Sequence, residues 1–261
     1  EACRIGLVDS YTYIGDPAFY DLPVEEMISD EFAAERAALI DMDNMQAMES
    51  VPLSDLPVTK LEPTAEESQH TTHIAVIDQY GNIVSTTNTL GNGWGCKFMA
   101  PGLGFFYNSH IGNLDHENPD SPDYVMPGKR VRSTISPSLV LQDGNPIMAV
   151  GSPGSLAIPP AVATIINNVL LYGMNVQQAI NEPRAMAINR SGMDSPARVS
   201  IEQPRFDPDL VAQMEGIGYE MKDVGEYNMA VGGIAAIYLD RDNGIFYAGA
   251  DPRRGYKALA Y

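Results

Sequence analysis

A chain of 261 residues, 44% of them hydrophobic, is long enough to bury a sizeable core in one large domain or two modest ones. Its 34 acidic against 16 basic residues leave a net charge of −18, which disfavours nucleic acid and anionic membrane surfaces as partners. No apolar run approaches the ~18 residues needed to span a bilayer. Cys3 and Cys96 are far apart, with no CxxC spacing and no clustered histidines, which argues against structural zinc and predicts two buried free thiols. The opening Glu1-Ala2-Cys3-Arg4 has neither an initiator Met nor a signal-peptide pattern, so it reads as the interior or trimmed start of a longer chain. No compartment is legible from it.

Residues 1–50 read mainly as helix, with apolar positions at helical spacing over Val24 to Met27 and Phe32 to Ile40, and Asp30 as the N-cap of the second stretch. Their many acidic residues are assigned to solvated helix faces. Periodicity is then lost over residues 51–70, where Pro52, Pro57 and Pro63 mix with Ser, Thr and Glu in an extended, accessible linker. From Thr71 the pattern turns to strands. Thr72 to Asp78 and Ile83 to Thr89 form a hairpin about Tyr80-Gly81-Asn82. Ser138 to Leu141 and Ile147 to Val150 form a second, and Ile234 to Leu239 with Ile245 to Ala248 a third. Buried helices are expected over Pro160 to Tyr172, from an Asn175 cap to Pro183, and from an Asp207 cap with Pro208 at the first helical position. Hairpins interleaved with helices predict α+β layers rather than a parallel βαβ sheet.

Thr71-Thr72-His73, at the head of the first strand and just after the linker, carries the chemistry. A threonine freed there as an N-terminus supplies a hydroxyl nucleophile and, in its own α-amine, the base that activates it. An α-amine titrates at roughly 7.7–8.0, so much of it is neutral near pH 7–8. Thr89 ends the partner strand, where it can meet the Thr71 hydroxyl. Ser133 and Thr134 follow the basic cluster Lys129-Arg130-Val131-Arg132, a setting suited to a carboxylate. Gly151-Ser152-Pro153-Gly154-Ser155 lies between a strand and a helix, where backbone N–H groups can face a developing oxyanion. Asp251-Pro252-Arg253-Arg254-Gly255 completes the set.

These segments in this order resemble the small-subunit half of the γ-glutamyltranspeptidase family of N-terminal-nucleophile hydrolases. Residues 1–70, with Tyr13-Ile14-Gly15-Asp16-Pro17, look like the tail of that family's large subunit, and residues 71–261 like its whole small subunit. The resemblance implies a four-layer αββα sandwich, of which this chain supplies about half, and a missing large-subunit region as heterodimer partner. It implies self-cleavage at His70–Thr71, with Thr71 as nucleophile, Thr89 orienting it, and Gly154 and Ser155 as the oxyanion turn, provided φ at Ser155 is not positive. Ser133 and Thr134 match the pair that binds the substrate's α-carboxylate. The substrate is a small-molecule or peptide amide, and neither metal nor organic cofactor is required.

Departures from the family pattern bear on the acyl group. Gly91 stands where an Asn or acidic side chain contacts substrate, His110 replaces a Gln, and Asn113 replaces the Asp that pairs with the substrate's α-ammonium. A neutral amide cannot fully replace that ion pair, which points away from free γ-glutamyl donors and towards glutaryl-type or oxamate-type amides. A non-catalytic or unprocessed homologue is the remaining alternative. His73 is expected to be structural, His116 a loop residue, and Trp94 with Phe105-Phe106-Tyr107 wall or core. Arg253 and Arg254 are expected to be structural and the methionines core filler. Gly91-Asn92-Gly93-Trp94-Gly95 lacks the βαβ context of a phosphate loop, and Asn189-Arg190-Ser191 has sequon spacing.

Overall fold

The computed structural model describes residues 1–45, 70–187 and 198–260. The proline-rich junction up to residue 69 and the sequon at 189–191 lie outside the described residues.

Upstream of the junction lie helices α1 (Ala2–Tyr13), α2 (Val24–Met27) and α3 (Asp30–Ala37). Ile5 and Val8 of α1 pack with Ile40, and Arg36 of α3 donates twice to Asp9 of α1, at 2.9 and 2.7 Å. The cap of α3 is Ser29, not Asp30: Ser29 has extended backbone and its Oγ accepts from Phe32 N–H at 3.1 Å. Asp30 and Glu31 instead fill the first turn, where their charge meets the positive end of the helix.

The expected hairpins form. Strands β1 (Thr71–Ile77) and β2 (Ile83–Thr89) pair antiparallel from Thr71 opposite Thr89 to Ile77 opposite Ile83. Strands β3 (Ser138–Gln142) and β4 (Asn145–Gly151) pair with each other. A later hairpin, β8 (Ala235–Asp240) with β9 (Ile245–Ala250), adds to β4, giving an antiparallel sheet in the order β3-β4-β8-β9. The β1–β2 hairpin lies against β4 and β8. Alternation along β1 turns Thr71 and His73 inward and leaves Ile74 and Val76 exposed on the other face, beside Val84 of β2.

Helices α4 (Ile158–Leu170) and α5 (Val176–Asn181) cover the opposite face of the sheet. Met148 and Val150 of β4 and Ile234 and Ala236 share one core with Ile158, Ala161, Ile165 and Ile180 from these helices. Helix α4 has apolar residues on most of its surface because it is packed on several sides; it stops two residues before the expected Tyr172, and Gly173 turns the chain at φ +68°. Asn175 caps α5 in a reciprocal capping box with Gln178. Gly249 lets α5 approach β9, since a Cβ there would lie 2.6 Å from Ile180 Cδ1.

A small separate sheet holds β5 (Ala185–Ala187), β6 (Arg198–Ile201) and β7 (Glu220–Asp223), with helix α6 (Pro208–Gly216) between the last two. Its core is Val199, Ile201, Val211 and Tyr219. The β6–β7 pair is parallel and joined through α6, a local βαβ unit within the α+β layers. At three or four residues each, these strands are too short for alternation to be read. The class is α+β, as expected, with hairpin, sheet and helices stacked in that order. No described helix is long and apolar enough to cross a membrane.

Candidate active site

Thr71 and Thr89 face each other at the open end of the hairpin, and the Thr71 hydroxyl donates to Thr89 Oγ1 at 2.8 Å. The same Thr89 oxygen accepts the Gly91 N–H at 3.1 Å, so it is held by the loop as well as by the strand. Thr71 is only 9% exposed, whereas His70, one residue upstream, is exposed. The His70 imidazole lies against Gly93, whose missing Cβ would come within 2.8 Å of Nε2.

His73 explains how the Thr71 strand is seated. Its ring is 2% exposed, with Nδ1 2.8 Å from Thr87 Oγ1 and Nε2 3.4 Å from Ser85 Oγ. Ser85 in turn donates to Val150 O of β4 at 3.1 Å. Gly151 is glycine for a steric reason: a Cβ would sit 2.3 Å from His73 Cε1. The backbone N–H of His73 also donates to the Tyr256 hydroxyl at 3.0 Å. Burial pushes the His73 pKa down to about 4, so the ring is neutral at pH 7. It braces the hairpin on β4 and is structural, as expected.

Beyond Gly151 the chain makes the turn read as an oxyanion site. Gly154 has φ +133°, and a Cβ there would meet Gly232 Cα at 3.0 Å. Ser155 has φ +54°. The proviso placed on Ser155 is therefore not met: serine is held in the left-handed region, a strained position that glycine would occupy freely. The buried Ser152 fixes the turn from behind, donating to Pro153 O at 2.6 Å and accepting from Gly233 N–H at 3.0 Å. Thr134 donates to Ser155 O at 3.0 Å, so its hydrogen must be redirected before it can serve a carboxylate. Ser133 is exposed, and its Oγ accepts from Ile135 N–H at 3.2 Å.

Gly91 and His110 are in contact. Gly91 has φ +81°, and a Cβ on it would lie 2.6 Å from His110 Cδ2 and 2.7 Å from Ser109 Oγ. The imidazole of His110 thus occupies the space that a side chain at position 91 would fill. Burial lowers its pKa below the ordinary histidine value. Asn113 ends the same 3-10 turn, His110–Asn113, and is exposed. A cleft of about 480 Å³ opens here between Asn108, His110 and Ile111 on one side and Val125 to Lys129 on the other. The residues brought together by direct contact are thus three pairs: Thr71 with Thr89, Gly91 with His110, and Thr134 with Ser155. The hairpin and the turn are joined through His73 and Gly151.

Other expectations are corrected. Trp94 and Phe105, like the neighbouring Phe98, are more than half exposed, so of the expected wall or core the core reading does not hold for them. The rings pack on one another, Trp94 tilted against Phe106 at 5.3 Å and Phe98 stacked on Tyr107 at 5.9 Å. Trp94 and Lys97 also have positive φ, at 62° and 60°. Both thiols are free, but Cys96 is exposed and Cys3 half-buried rather than buried. Met148 and Met186 do fill core, while Met42 and Met99 are exposed.

A buried charge cluster behind the turn escaped the sequence reading except for its last members. Arg184 pairs with Asp251, whose carboxylate also accepts Ile234 N–H at 2.8 Å. Arg253 donates to Glu202 at 2.7 Å, to Ile180 O at 2.9 Å and to Glu182 O at 2.9 Å. Glu202 further accepts Asn228 N–H at 2.9 Å, and Arg184 donates to Val231 O at 3.2 Å. The signal that could have revealed Glu202 is an acidic residue directly following the apolar Val199–Ile201 strand. Among the described residues no group of His, Cys, Asp and Glu is arranged to hold a metal.

The gamma-glutamyltranspeptidase family profile matches residues 1–261, and the chain belongs to that family. It is 28% identical over 269 residues to the glutathione hydrolase proenzyme of Bacillus subtilis strain 168, covering 99% of this chain and 43% of that one. It is 34% identical over 184 residues to the acylase ACY 1 proenzyme of Pseudomonas sp. strain SE83, covering 70% and 31%. The crystal structure of cephalosporin acylase from Bacillus halodurans superposes with a TM-score of 0.82 at 25% identity, covering 99% of this chain and 43% of that one. The fold is therefore that of the family's N-terminal-nucleophile hydrolases, and the chain spans less than half the length of these relatives.

Proposed function

We propose that the chain carries the nucleophile-bearing part of a self-processing amidohydrolase or acyltransferase, with residues 71–261 as small subunit and 1–70 as the tail of the large one. The observation that carries this reading is the Thr71 hydroxyl, buried and bonded to Thr89 at 2.8 Å, one residue downstream of the exposed His70. In self-cleavage Thr71 Oγ attacks the His70 carbonyl. The peptide C–N bond breaks, the nitrogen takes the hydroxyl proton and becomes the free Thr71 α-amine, and water then hydrolyses the resulting ester to release the Thr71 hydroxyl and the His70 carboxylate. In turnover that amine accepts the hydroxyl proton as Oγ attacks a substrate amide. The Gly154 and Ser155 N–H groups stabilise the oxyanion, the amine leaves with the proton, and an acyl-threonine ester remains for water or an acceptor amine. Thr89 orients the hydroxyl, and Ser133 and Thr134 bind a carboxylate of the donor. No step calls on a metal or an organic cofactor. The rest of the large subunit is the partner, and the exposed Ile74, Val76 and Val84 are a face that it would cover.

The donor follows from the cleft. With the His110 ring in the space beside Gly91 and a neutral Asn113 nearby, nothing at these positions carries the negative charge that an α-ammonium would seek. This favours an acylase acting on amides of dicarboxylic acids, such as a glutaryl or oxamate type, over a glutathione hydrolase. The test takes the complete polypeptide and its Thr71→Ala variant, follows cleavage by intact mass, and compares glutaryl- with γ-glutamyl-p-nitroanilide. Cleavage at His70–Thr71 in the parent alone, with at least tenfold preference for glutaryl, is expected. A parent that stays whole removes the nucleophile assignment and leaves a binding homologue. Preference for γ-glutamyl removes the donor assignment only.

A further inference from the structure

Asp16 is a loop residue that is only 3% exposed, and it spends its carboxylate on another segment 114 residues away. Its Oδ2 accepts the backbone N–H of Arg130 at 2.7 Å, and its Oδ1 accepts from the Arg130 guanidinium at 3.2 and 2.9 Å. Ala18 N–H adds a fourth donor at 3.0 Å. The guanidinium is 72% exposed, so the backbone bond is the constraining one. Hydrogen bonds from Arg130 hold the Asp16 carboxyl well below the usual carboxylate range, so it stays ionised wherever the protein is folded near neutral pH.

Neighbouring contacts make this a fitted joint. Gly15 approaches Pro122 so closely that a Cβ would sit 2.8 Å from its carbonyl oxygen. The Tyr20 hydroxyl donates to Ser121 O at 3.2 Å. Lys129 lies 4.5 Å above the Tyr20 ring and 5.7 Å from Phe19, while its ammonium donates to Tyr124 O at 2.9 Å. Arg132 pairs with the buried Asp123 at 2.6 Å. The basic cluster that the sequence offered to a carboxylate is thus committed to the upstream segment and to this loop. What it holds in place is one wall of the cleft, Val125 to Lys129 and Val131, and the stretch leading to Ser133 and Thr134. Four residues beyond Arg130, Thr134 reaches Ser155 O.

We infer that Asp16 is a positioning residue for the carboxylate-binding pair Ser133 and Thr134, acting from upstream of the cleavage junction through the backbone of Arg130. The inference rests on the acyl-transfer reading above. Segment 13–20 then belongs to the donor site although it touches no reacting atom, and the two products of self-cleavage must stay docked for the donor carboxylate to be held.

The test compares the complete polypeptide with Asp16→Ala and with the milder Asp16→Asn. Self-cleavage, kcat and KM are measured for a carboxylate donor and its methyl ester, and glutarate binding by calorimetry. Expected for Asp16→Ala is a roughly tenfold rise in KM for the carboxylate donor and a similar loss of glutarate affinity. The methyl ester KM, kcat and self-cleavage are expected to stay within twofold, with Asp16→Asn intermediate. An unchanged KM overturns the inference. So does an equal rise for both donors accompanied by a fall in kcat and melting temperature, the mark of a merely structural joint. If Asp16→Ala does not fold, Asp16→Asn decides by the same criteria at about threefold. If the parent neither cuts itself nor turns over a donor, the functional reading fails, and glutarate binding still decides. Tenfold weaker binding in the variant sustains the inference, and equal affinity, including none in either, overturns it.

Discussion

Thr89→Val is the substitution that most directly interrogates the proposed nucleophile, because valine keeps the shape of threonine and replaces Oγ1 with a methyl group. Two hydrogen bonds disappear, the 2.8 Å bond from the Thr71 hydroxyl and the 3.1 Å bond from Gly91 N–H. At about 1 kcal/mol net each, the fold should lose roughly 2 kcal/mol. The effect on chemistry is separate. A hydroxyl no longer aimed by Thr89 samples its other rotamers, and losing ~1.4–3 kcal/mol of orientation corresponds to about ten- to a hundredfold in rate. The assay is a time course of intact mass for the complete polypeptide, followed by turnover of the cleaved form. Both self-cleavage and turnover should slow by comparable factors, since both begin with the same oxygen attacking a carbonyl. Thr89→Ser, which keeps the acceptor, should remain within about threefold of the parent. If Thr89→Val cuts itself at the parental rate, the Thr71–Thr89 bond is incidental and the nucleophile is oriented by something else.

Two further outcomes are expected. Ser155→Gly removes a left-handed serine costing ~1–2 kcal/mol and adds ~0.5–1 kcal/mol of unfolded-state entropy, so the protein should gain about 0.5–1 kcal/mol, or ~1–3 °C in Tm. Activity should change by less than threefold because the N–H remains; a loss of stability would contradict the φ of +54°. His73 titrates at about 4 when folded and near 6.5 when unfolded. Its neutral form is the one the fold prefers, so its contribution is complete above pH ~6.5, falls as the unfolded state takes up the proton, and is gone below about 4. The full conversion is ~3 kcal/mol. Denaturant melts of parent and His73→Gln between pH 7 and 4 should differ in slope by that amount, and parallel slopes would refute the assignment.

What the sequence made legible follows from where local signals are strong. The three long hairpins, α4 to α6 and the Thr71–Thr89 pairing rest on alternation, turn residues and caps, all readable within ten or twenty residues. The strands β5 to β7 were not legible, because three or four residues carry no period, and neither was the parallel β6–β7 pair. At the site, the residue types of Thr71, Thr89 and the Gly154 turn pointed to the acyl-transfer chemistry proposed for them. The basic run at 129–132 pointed to a carboxylate, yet Asp16, 114 residues upstream, and Asp123 in the preceding loop claim its guanidinium groups. Equally out of reach was the complementarity of Gly91 and His110. Read singly, each looked like a departure from a substrate contact, and only proximity shows one filling the space left by the other.

The charge cluster behind the Gly154 turn also has a bearing on timing. Asp251 and Arg253 hold Ile180, Glu182, Glu202 and Ile234, all of which are made before them. Gly233, next to Ile234, is the donor that secures Ser152 behind the turn. During translation the Thr71 hairpin and the turn emerge long before this backing is complete. The ribosome must pass residue 253 before Glu202 meets its guanidinium partner from the final loop and the turn acquires its full support. The last contacts of the cluster are therefore made only once residue 253 is in place, well after Thr71, Thr89 and the Gly154 turn.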